Sequence, residues 1–498
     1  MDFGILSLVP AFVTIISALL TRKVALSLFL GVIAGAFVIA EYNIVEFAIG
    51  SLHYLKVAFT DFERLKIVLF ILLIGGLLEI ISGSGAYTKF ADTLSKKLNT
   101  PRKSRVATWG LSMCLFFDDY ANVLISGASM RKINMKNRVT PAQLAYIVDV
   151  VAIMASIMIV STWASFEGSV MAEAGEEIGM KGTISDFFLK SVPYHFYTFL
   201  AIFMALLVAI TGKWFGYKAD NQEYELNDSS EVKNDKSRLK HLLLPIITLL
   251  GFSVLALFAS GIYILKQNNE PLTLINILGS APSIEILILA TILAIGVAVF
   301  LITKDKVIPG KKTGKSFGRG IYGMIGVSLV IIFAKGLSAV STDLGTGVFI
   351  TNSISDYVTI EVLPMLIFIV SMLITVATGF SWSSMAIVMP IAFQLVNAEA
   401  ALHLIPVVSA AVISGAVSGE HIIPFSEKAV MSAAACKISP LYHIKTQIFQ
   451  SVSVFLAAVL GYFLYGITNS WIISMGLPLL LLTIMHFLLA KPNRPNIR

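Results

Sequence analysis

Apolar residues fall in long blocks along most of the chain, and short polar loops separate the blocks. Most blocks are about 17 to 25 residues long, the length of an α-helix that crosses a bilayer. A membrane β-barrel would show weaker alternating segments of about ten residues. The pattern therefore predicts an all-α polytopic membrane protein with about 11 transmembrane helices. The predicted spans are 5–20, 24–40, 66–82, 142–163, 193–212, 241–260, 286–303, 320–340, 404–420, 447–467 and 471–489, with two further apolar stretches at 106–129 and 362–396.

Composition excludes a soluble protein. Of the 498 residues, 56% are hydrophobic and 13% are charged, whereas soluble domains carry roughly 25% charged residues. The net charge of +7 is assigned to cytoplasmic loops, where Lys and Arg accumulate in membrane proteins. The expected partners are the lipid bilayer and small ions or metabolites, with no nucleic acid, and a homodimer is left open.

Two short basic loops flank the apolar stretch 106–129. The loop 89–105 is rich in Lys and Arg and has one acid, Asp92, and the loop 130–138 has basic residues and no acid. By the positive-inside rule both loops are cytoplasmic. The stretch between them must then leave and return on the same side, which predicts a re-entrant hairpin buried in protein.

The remaining loops extend this topology. The acidic loop 167–190 is predicted to be external, and the basic segments 213–240 and 304–319 to be cytoplasmic. Continued alternation makes 362–396 a second hairpin that enters from outside. The expectation is a multi-pass protein of the cell inner membrane with its N-terminus outside and its C-terminus in the cytoplasm.

Weak internal similarity relates the two halves. A shift between them matches Gly76 with Gly336, and a slightly different shift matches Ser161 with Ser418. An odd number of predicted spans separates the two hairpins, so the halves face opposite ways. This is an inverted-topology repeat, the plan of many secondary transporters. The predicted units are N-terminal helices 1–65, a first transporter repeat 66–212, a cytoplasmic linker 213–240, linking helices 241–319, a second transporter repeat 320–467, and a C-terminal helix with tail 468–498.

Adjacent carboxylates mark the first hairpin. An ionisable side chain at membrane depth is costly and is a functional candidate by default. Asp118 and Asp119 point about 100° apart on a helix, so one is expected to face an ion and the other to cap a broken helix. Asn122, one turn after Asp118, offers a neutral oxygen to the same site. Structural capping by both carboxylates is the alternative.

Two further polar clusters occur in the second half. In the second hairpin, Gly379 allows a helix break, and the hydroxyl of Ser381 beside Trp382 is a suitable ligand for Na⁺. The alternative is that Ser and Gly ease close helix packing. In the third cluster, Pro424 breaks a helix and releases carbonyl groups. The ionisable and polar residues around that break are Glu420, His421, Ser426, Glu427 and Lys428. The alternative for Glu427 and Lys428 is a simple cytoplasmic helix end.

Other buried polar groups complete the candidate site. Asp149 lies near the middle of a span that ends at Ser161-Thr162-Trp163, and Thr162 is taken as a ligand. The alternative is that Asp149 is a structural residue held by hydrogen bonds. Glu79 and Lys335 lie in other spans and can pair with each other or with neighbours. The set proposed for Na⁺ is Asp118, Asn122 and Ser381.

Sequence motifs for other energy sources are absent. The chain has no Walker sequence and no H-E-x-x-H pattern. We therefore expect no enzyme activity and no cofactor, with Na⁺ and H⁺ as the transported or coupling ions.

Three stretches together resemble the NhaC-type Na⁺/H⁺ antiporter family. They are Phe116-Phe117-Asp118-Asp119-Tyr120-Ala121-Asn122, Thr378-Gly379-Phe380-Ser381-Trp382, and the run from Gly415 through Glu420-His421 and Pro424 to Ser426-Glu427. The resemblance spans about residues 65 to 450. It implies an ion-coupled exchanger with ion sites at the hairpin tips.

The chain departs from the family pattern in the third stretch. Glu420 and Glu427 stand where the family has Asp, and Lys428 stands where it has Thr. An ammonium beside an ion site repels Na⁺ and attracts carboxylates. The sequence thus predicts a Na⁺/H⁺ antiporter and leaves open an ion-coupled carrier for a small organic acid or amino acid.

Overall fold

The apolar blocks fold as α-helices, because a backbone inside a bilayer must satisfy its hydrogen bonds internally. The computed structural model describes residues 3–21, 23–41, 43–60, 62–95, 98–215, 234, 236–269, 271–346, 349, 359–378, 380–424 and 426–492. Most of the predicted linker 213–240, Gly379 and the last residues of the tail lie outside these ranges, and so does the side chain of Glu427.

The helices of the first half include both long apolar helices and short broken ones. In chain order they are α1 (Val9–Thr21), α2 (Val24–Ile39), α3 (Ile44–Thr60), α4 (Phe62–Gly83), α5 (Ala86–Ser95), α6 (Pro101–Cys114), α7 (Asp119–Lys136), α8 (Pro141–Ala152), α9 (Thr162–Glu177), α10 (Ile184–Ser191) and α11 (Phe196–Thr211).

The second half has the same character. Its helices are α12 (Lys240–Asn268), α13 (Leu274–Ser280), α14 (Ser283–Lys304), α15 (Gly310–Asp343), α16 (Leu363–Thr378), α17 (Ser381–Ala398), α18 (Ile405–Glu420), α19 (Glu427–Cys436), α20 (Pro440–Thr468) and α21 (Trp471–Leu489). Short 3₁₀ turns occupy Gly4–Leu8, Ile153–Ile157, Val192–Tyr194 and Leu402–Leu404. The strands β1 (Lys213–Trp214) and β2 (Lys491–Pro492) pair antiparallel, with Lys213 opposite Pro492.

The chain is a nearly all-helical, multi-pass membrane protein. Within the described ranges, six helices are long and apolar enough to cross a membrane, and up to eight if each of two bent pairs is one span. The apolar parts of α1, α2 and α16 are shorter. The predicted number of about eleven spans stays a prediction.

Two predicted boundaries were wrong. The span 142–163 is not one helix: α8 and its 3₁₀ turn end at Ile157, and α9 starts at Thr162 at an angle of 49°. The acidic segment 167–190 is not a loop, since it holds the rest of α9 and all of α10. Its excess of acidic residues gave a loop-like pattern, but α9 and α10 are helices that pack together. A Cβ at Gly168 would lie 2.5 Å from the Ile184 side chain of α10.

Helix α3 was not predicted. Polar residues such as Ser51, His53 and Lys56 interrupt its apolar run, so no uniform block appears in the sequence. It packs against α2 and α15. Tyr54 on this helix donates a hydrogen bond to Asp343 at the end of α15 (2.6 Å).

The first hairpin is closed along its length by asparagine side chains. Near the tip, the Asn122 amide donates to the Ser112 carbonyl (2.6 Å). Further down, Asn134 donates to Thr108 Oγ1 (2.8 Å), and at the base Asn137 donates to the Leu98 carbonyl (2.9 Å). These bonds run between α6, α7 and the segment before α6. The base residues 98 and 137 therefore lie together, at the opposite end of the hairpin from residues 115–118.

The corresponding long helices of the two halves, α4 and α15, pack antiparallel. A Cβ added at Gly83 would approach Ser316, one at Gly76 would approach Phe317, and one at Gly75 would approach Met324. As the residue number decreases along α4, the number of its contact residue on α15 increases. Small residues allow this close approach, as in other membrane helix pairs. The predicted inverted repeat requires these two helices to run in opposite directions, and the repeat stays a prediction.

Ion pairs also join these helices to their neighbours. Glu79 of α4 pairs with Arg319 of α15 (2.9 Å), and Lys335 of α15 pairs with Glu173 of α9 (2.7 Å). Glu79 and Lys335 are therefore paired with neighbours and not with each other. At the end of α14, Lys240 and His241 bond Asp305 and hold the pKa of this carboxyl below its usual range.

Each hairpin packs against the broken helix of the other half. Helix α7 of the first hairpin contacts α19, where a Cβ at Gly127 would lie 2.6 Å from the Ala435 side chain. Helix α17 of the second hairpin contacts α9, where Trp382 stacks on Phe166. This packing of each hairpin on the other half brings both hairpin tips and both helix breaks to the interior of one bundle.

The hairpin geometry leads to a labelling prediction. In a background without Cys114 and Cys436, Lys103→Cys and Lys136→Cys should react with a membrane-impermeant maleimide from the same side of the membrane. Both lysines are exposed beside the hairpin base. Lys181→Cys, which is exposed beyond α9, is the control and should react from the other side. Labelling of positions 103 and 136 from opposite sides would contradict the hairpin.

Candidate functional site

The first hairpin tip is bonded to the start of α9. The Thr162 N–H donates to the Phe117 carbonyl (3.1 Å), and Thr162 Oγ1 donates to Asp118 Oδ2 (3.1 Å). The break between α8 and α9 thus supplies hydrogen-bond donors to the turn between α6 and α7. Non-helical backbone at membrane depth requires such partners within the protein. Asp118 is held in place by these contacts.

The two helix breaks are closed by equivalent serines. Ser161 caps α9 by accepting from the Ala164 N–H (2.9 Å) and donates its hydroxyl to the Ala155 carbonyl six residues earlier (2.7 Å). Ser426 caps α19 in the same way.

The hydroxyl oxygen of Ser426 accepts from the Ala429 N–H (3.3 Å), and its O–H donates to the Glu420 carbonyl, also six residues earlier (3.0 Å). Ser161 and Ser426 thus make the same two bonds. Ser418, the predicted match of Ser161, does not make them, because it lies inside α18 and its hydroxyl donates to Gly415 of the same helix.

The second hairpin tip contacts the second break. Glu420 Oε1, at the end of α18, accepts from the Ser381 N–H at the start of α17 (2.8 Å). Its other oxygen lies 3.3 Å from Lys428 Nζ on α19. Glu420 and Lys428 are 3% and 1% exposed, so this ion pair is enclosed in the bundle.

Lys428 also reaches the first half of the chain. Its Nζ lies 6.0 Å from the centre of the Trp163 ring on α9, within cation–π range. Trp163 meets Trp382 edge-on with ring centres 5.9 Å apart, and Trp382 stacks on Phe166 at 4.3 Å. Asp119, the first residue of α7, is close enough to Asp118, Lys428 and Glu420 for their charges to act on it. These contacts bring the three predicted clusters into one site.

Four helices start at this site. They are α7 at Asp119, α9 at Thr162, α17 at Ser381 and α19 at Glu427. A helix N-terminus carries partial positive charge from its free N–H groups and favours carboxylates, by about 0.3–1 kcal/mol each. The arrangement explains how several carboxyl groups can be accommodated far from bulk water. We call the set Asp118, Asp119, Glu420 and Lys428 the central cluster.

A second buried network surrounds Asp149. Asp149 Oδ1 accepts from Ser432 Oγ of α19 (3.0 Å), and Oδ2 accepts from Gln447 Nε2 (3.0 Å) and His443 Nε2 (3.3 Å) of α20. All three of these partners lie in the second half of the chain. Asp149 therefore joins α8 to α19 and α20.

The network continues to the second break. Gln447 Nε2 also donates to the His421 carbonyl (2.9 Å), and His421 Nδ1 is hydrogen-bonded to Tyr197 Oη of α11 (2.8 Å). His421 thus lies in this network, beside the central cluster and not within it. Lys428 is near enough to act electrostatically on both His421 and Asp149.

The other predicted ligands have varied surroundings. The Asn122 oxygen accepts from Ser126 (3.2 Å) while its amide closes the hairpin. The hydroxyl of Ser381 is buried without a hydrogen-bond partner among the described residues. The Na⁺ set of Asp118, Asn122 and Ser381 stays a prediction, and within the described residues no three His, Cys, Asp or Glu side chains group as a metal site.

Sequence reasoning missed several members of the site. Tyr197, Ser432, His443 and Gln447 were not among the candidates, although the last two stand four residues apart on an apolar helix. Glu167 was read as an acid of an external loop and is instead fully buried on α9. Its signal was the four-residue spacing from Trp163, which places both on one helix face.

Comparison with known proteins identifies the chain. A model of the "Na+/H+ antiporter family" matches residues 154–467, which contain both helix breaks and the second hairpin. The chain belongs to the Na⁺/H⁺ antiporter family. This antiporter-family protein is therefore a secondary transporter. It is 26% identical to an uncharacterized protein of Haemophilus influenzae, over 97% of this chain and 95% of that one.

A solved structure is similar in fold. The crystal structure of the YdaH transporter of Alcanivorax borkumensis, described as having an unusual topology, matches with a TM-score of 0.56. The match covers 86% of this antiporter-family chain and 90% of the other at 19% identity. The likeness is one of fold.

The Asp149 network leads to a stability prediction. Asp149→Ala would leave buried donors on Ser432, His443 and Gln447 unpaired, at about 1–3 kcal/mol for each donor that finds no partner. We expect the melting temperature of the detergent-purified variant to fall by several degrees. Ser453→Ala, which removes a hydroxyl bonded only within its own helix, is the control. An unchanged melting temperature for Asp149→Ala would show that the network does not join the two repeats.

Proposed function

We propose that this protein exchanges Na⁺ for H⁺ at the central cluster. The observation that carries the proposal is the charge composition of the cluster, which contains three buried carboxyl groups and one buried ammonium group. If all are ionised, the cluster is short of positive charge. Na⁺ and H⁺ are the ions that would complete it.

Magnitudes support a bound cation. An uncompensated charge at the bilayer centre costs about 2.5–3.5 kcal/mol or more. The fully ionised cluster would carry two such charges, and a helix N-terminus contributes about 0.3–1 kcal/mol, so the four N-termini reduce this cost without removing the need for a counter-ion. A proton or a Na⁺ ion can each neutralise the same carboxylate, but not both at once. Competition for one site, with access alternating between the two sides, is the basis of exchange.

The state of Lys428 favours a cation as the transported species. Its ammonium is already paired with Glu420 at 3.3 Å, so its charge is neutralised within the protein. A carboxylate substrate would have to displace Glu420 from this pair. The second candidate is a Na⁺- or H⁺-coupled carrier for a small organic acid or amino acid. An ammonium has three hydrogen-bond donors, and Glu420 is the one carboxylate paired with Lys428 in the described chain. Donors of Lys428 are therefore available to a carboxylate substrate.

The proposed location is the cell inner membrane, with the N-terminus outside and the C-terminus in the cytoplasm. The basic loops at the base of the first hairpin and before α15 support this orientation. The ends of α9 and α15, where Glu177 accepts a hydrogen bond from Thr342 (2.9 Å), would then face the outside.

Removal of the tip carboxylates should abolish exchange. In proteoliposomes, Asp118→Asn or Asp119→Asn should reduce Na⁺-driven proton movement at least 100-fold, because the charge that binds either ion is lost while the protein still inserts. Glu399→Gln, at an exposed acid beyond α17, is the control and should exchange normally. Normal rates and Na⁺ affinity in both tip variants would place the site elsewhere.

Substitution of Lys428 separates the two candidates. If the transported species is a cation, Lys428→Thr frees Glu420 and should lower the Na⁺ concentration for half-maximal exchange. The double variant Lys428→Thr with Glu420→Gln removes the whole pair and should return this value towards that of the unmodified protein.

If a carboxylate is the substrate, the same lysine is its partner. Breaking a buried charge pair costs about 2–5 kcal/mol, so uptake affinity for that substrate should fall at least tenfold in Lys428→Thr. Tighter Na⁺ binding supports the antiporter, and loss of labelled organic-acid uptake supports the carrier. No change in either assay would contradict a role for Lys428 in the site.

A further inference from the structure

Glu167 is a buried carboxyl group that the function proposed above does not use. It lies on α9, one turn beyond Trp163, and it is 0% exposed. In the part of the chain that the structure describes, neither of its carboxyl oxygens has a hydrogen-bond partner. The group therefore contributes no bond that would stabilise the fold in this conformation.

Burial without partners decides the charge of Glu167 here. The effective cost of burying an ionised carboxylate is several kcal/mol even after relaxation, and buried groups of this kind neutralise instead. A proton on the carboxyl removes the cost. A nearby cation would remove it too, but no ammonium or guanidinium of the described residues donates a hydrogen bond to its oxygens. In this conformation Glu167 is thus a proton-holding group.

Asp119 is the ionisable neighbour of Glu167. Its charge acts on Glu167 directly, and it belongs to the central cluster. Among the described side chains, the charged residues of the helices packed against α9 are paired or exposed. On α4, Glu79 pairs with Arg319 and Lys66 pairs with Glu285. On α10, Asp186 accepts from Thr183 and Lys190 is exposed, and α17 carries no charged residue.

A cleft lies between the far end of α9, the end of α15 and the side of α17. It is lined by Glu177 of α9, by Thr342 of α15, and by Gln394, Ile387 and Ala386 of α17. Ala386 is one turn from Trp382, which stacks on Phe166 beside Glu167. The stack thus joins the turn of α17 beside the cleft to the turn of α9 that carries Glu167.

We propose that Glu167 is a second proton-binding site of the transport cycle, adding one proton to those carried by the central cluster. It takes up a proton at its carboxylate when it faces an aqueous side and retains it when buried, as seen here. This inference rests on the proposed Na⁺/H⁺ exchange. It predicts that Glu167 contributes to the number of protons exchanged per Na⁺.

The test measures the coupling ratio in proteoliposomes with the membrane potential clamped at zero. The ratio is read from the pH gradient that cancels a fixed Na⁺ gradient. Glu167→Gln keeps a neutral side chain of the same shape, so we expect it to fold, to exchange, and to move one proton fewer per Na⁺. Glu173→Gln, on the same helix but paired with Lys335 at the bundle edge, should keep the original ratio, and Glu167→Asp should restore it.

Each outcome bears on a different claim. No Na⁺-driven proton movement in the unmodified protein would overturn the proposed function itself. Normal exchange with the same ratio in Glu167→Gln would overturn only the role of Glu167. If Glu167→Gln is folded but inactive, proton release on adding Na⁺ to the purified protein decides: release reduced by one proton supports the role, and unchanged release refutes it.

Discussion

Interrupted backbone in the membrane interior is the constraint on which this structure depends. Two hairpin tips and two helix breaks release N–H and carbonyl groups where lipid offers no hydrogen bond. The protein supplies the partners from within. Ser161 and Ser426 each bond both sides of a break, and Thr162 bonds the first tip. Because each hairpin packs on the broken helix of the other half, the four interruptions support one another at a single place.

The site follows from that arrangement. Interrupted helices present their N-termini inward, and N-termini favour carboxylates, so Asp118, Asp119 and Glu420 can lie where an isolated acid would be too costly. Lys428 compensates part of their charge and contacts both halves. In the proposed exchange, a small cation compensates the negative charge that remains. Asp149, bonded to α19 and α20, couples the first half to the break that holds Lys428.

Parts of this arrangement can be predicted from the sequence because they depend on charge and length. Basic loops around an apolar stretch of hairpin length predicted the first hairpin, and the rarity of charge at membrane depth selected Asp118, Asp119 and Glu420. The breaks were harder to place. Residues 158–160 are apolar (Met158, Ile159, Val160), so the interruption of the helix leaves no trace in the hydrophobic pattern.

Other features depend on tertiary contacts alone. Ser418 and Ser426 are equally good matches to Ser161 by residue type, and only the bonds they make tell them apart. Glu167 stands among surface acids in the sequence, and its burial results from the packing of α9 between α10 and α17. The central claim is that Na⁺ and H⁺ compete for one buried carboxylate cluster. Calorimetry of Na⁺ binding to the purified protein, repeated in buffers of different ionisation enthalpy, measures this most directly. The account predicts that Na⁺ binding releases protons and weakens as the pH falls, and Na⁺ binding without proton release and with a pH-independent affinity would contradict it.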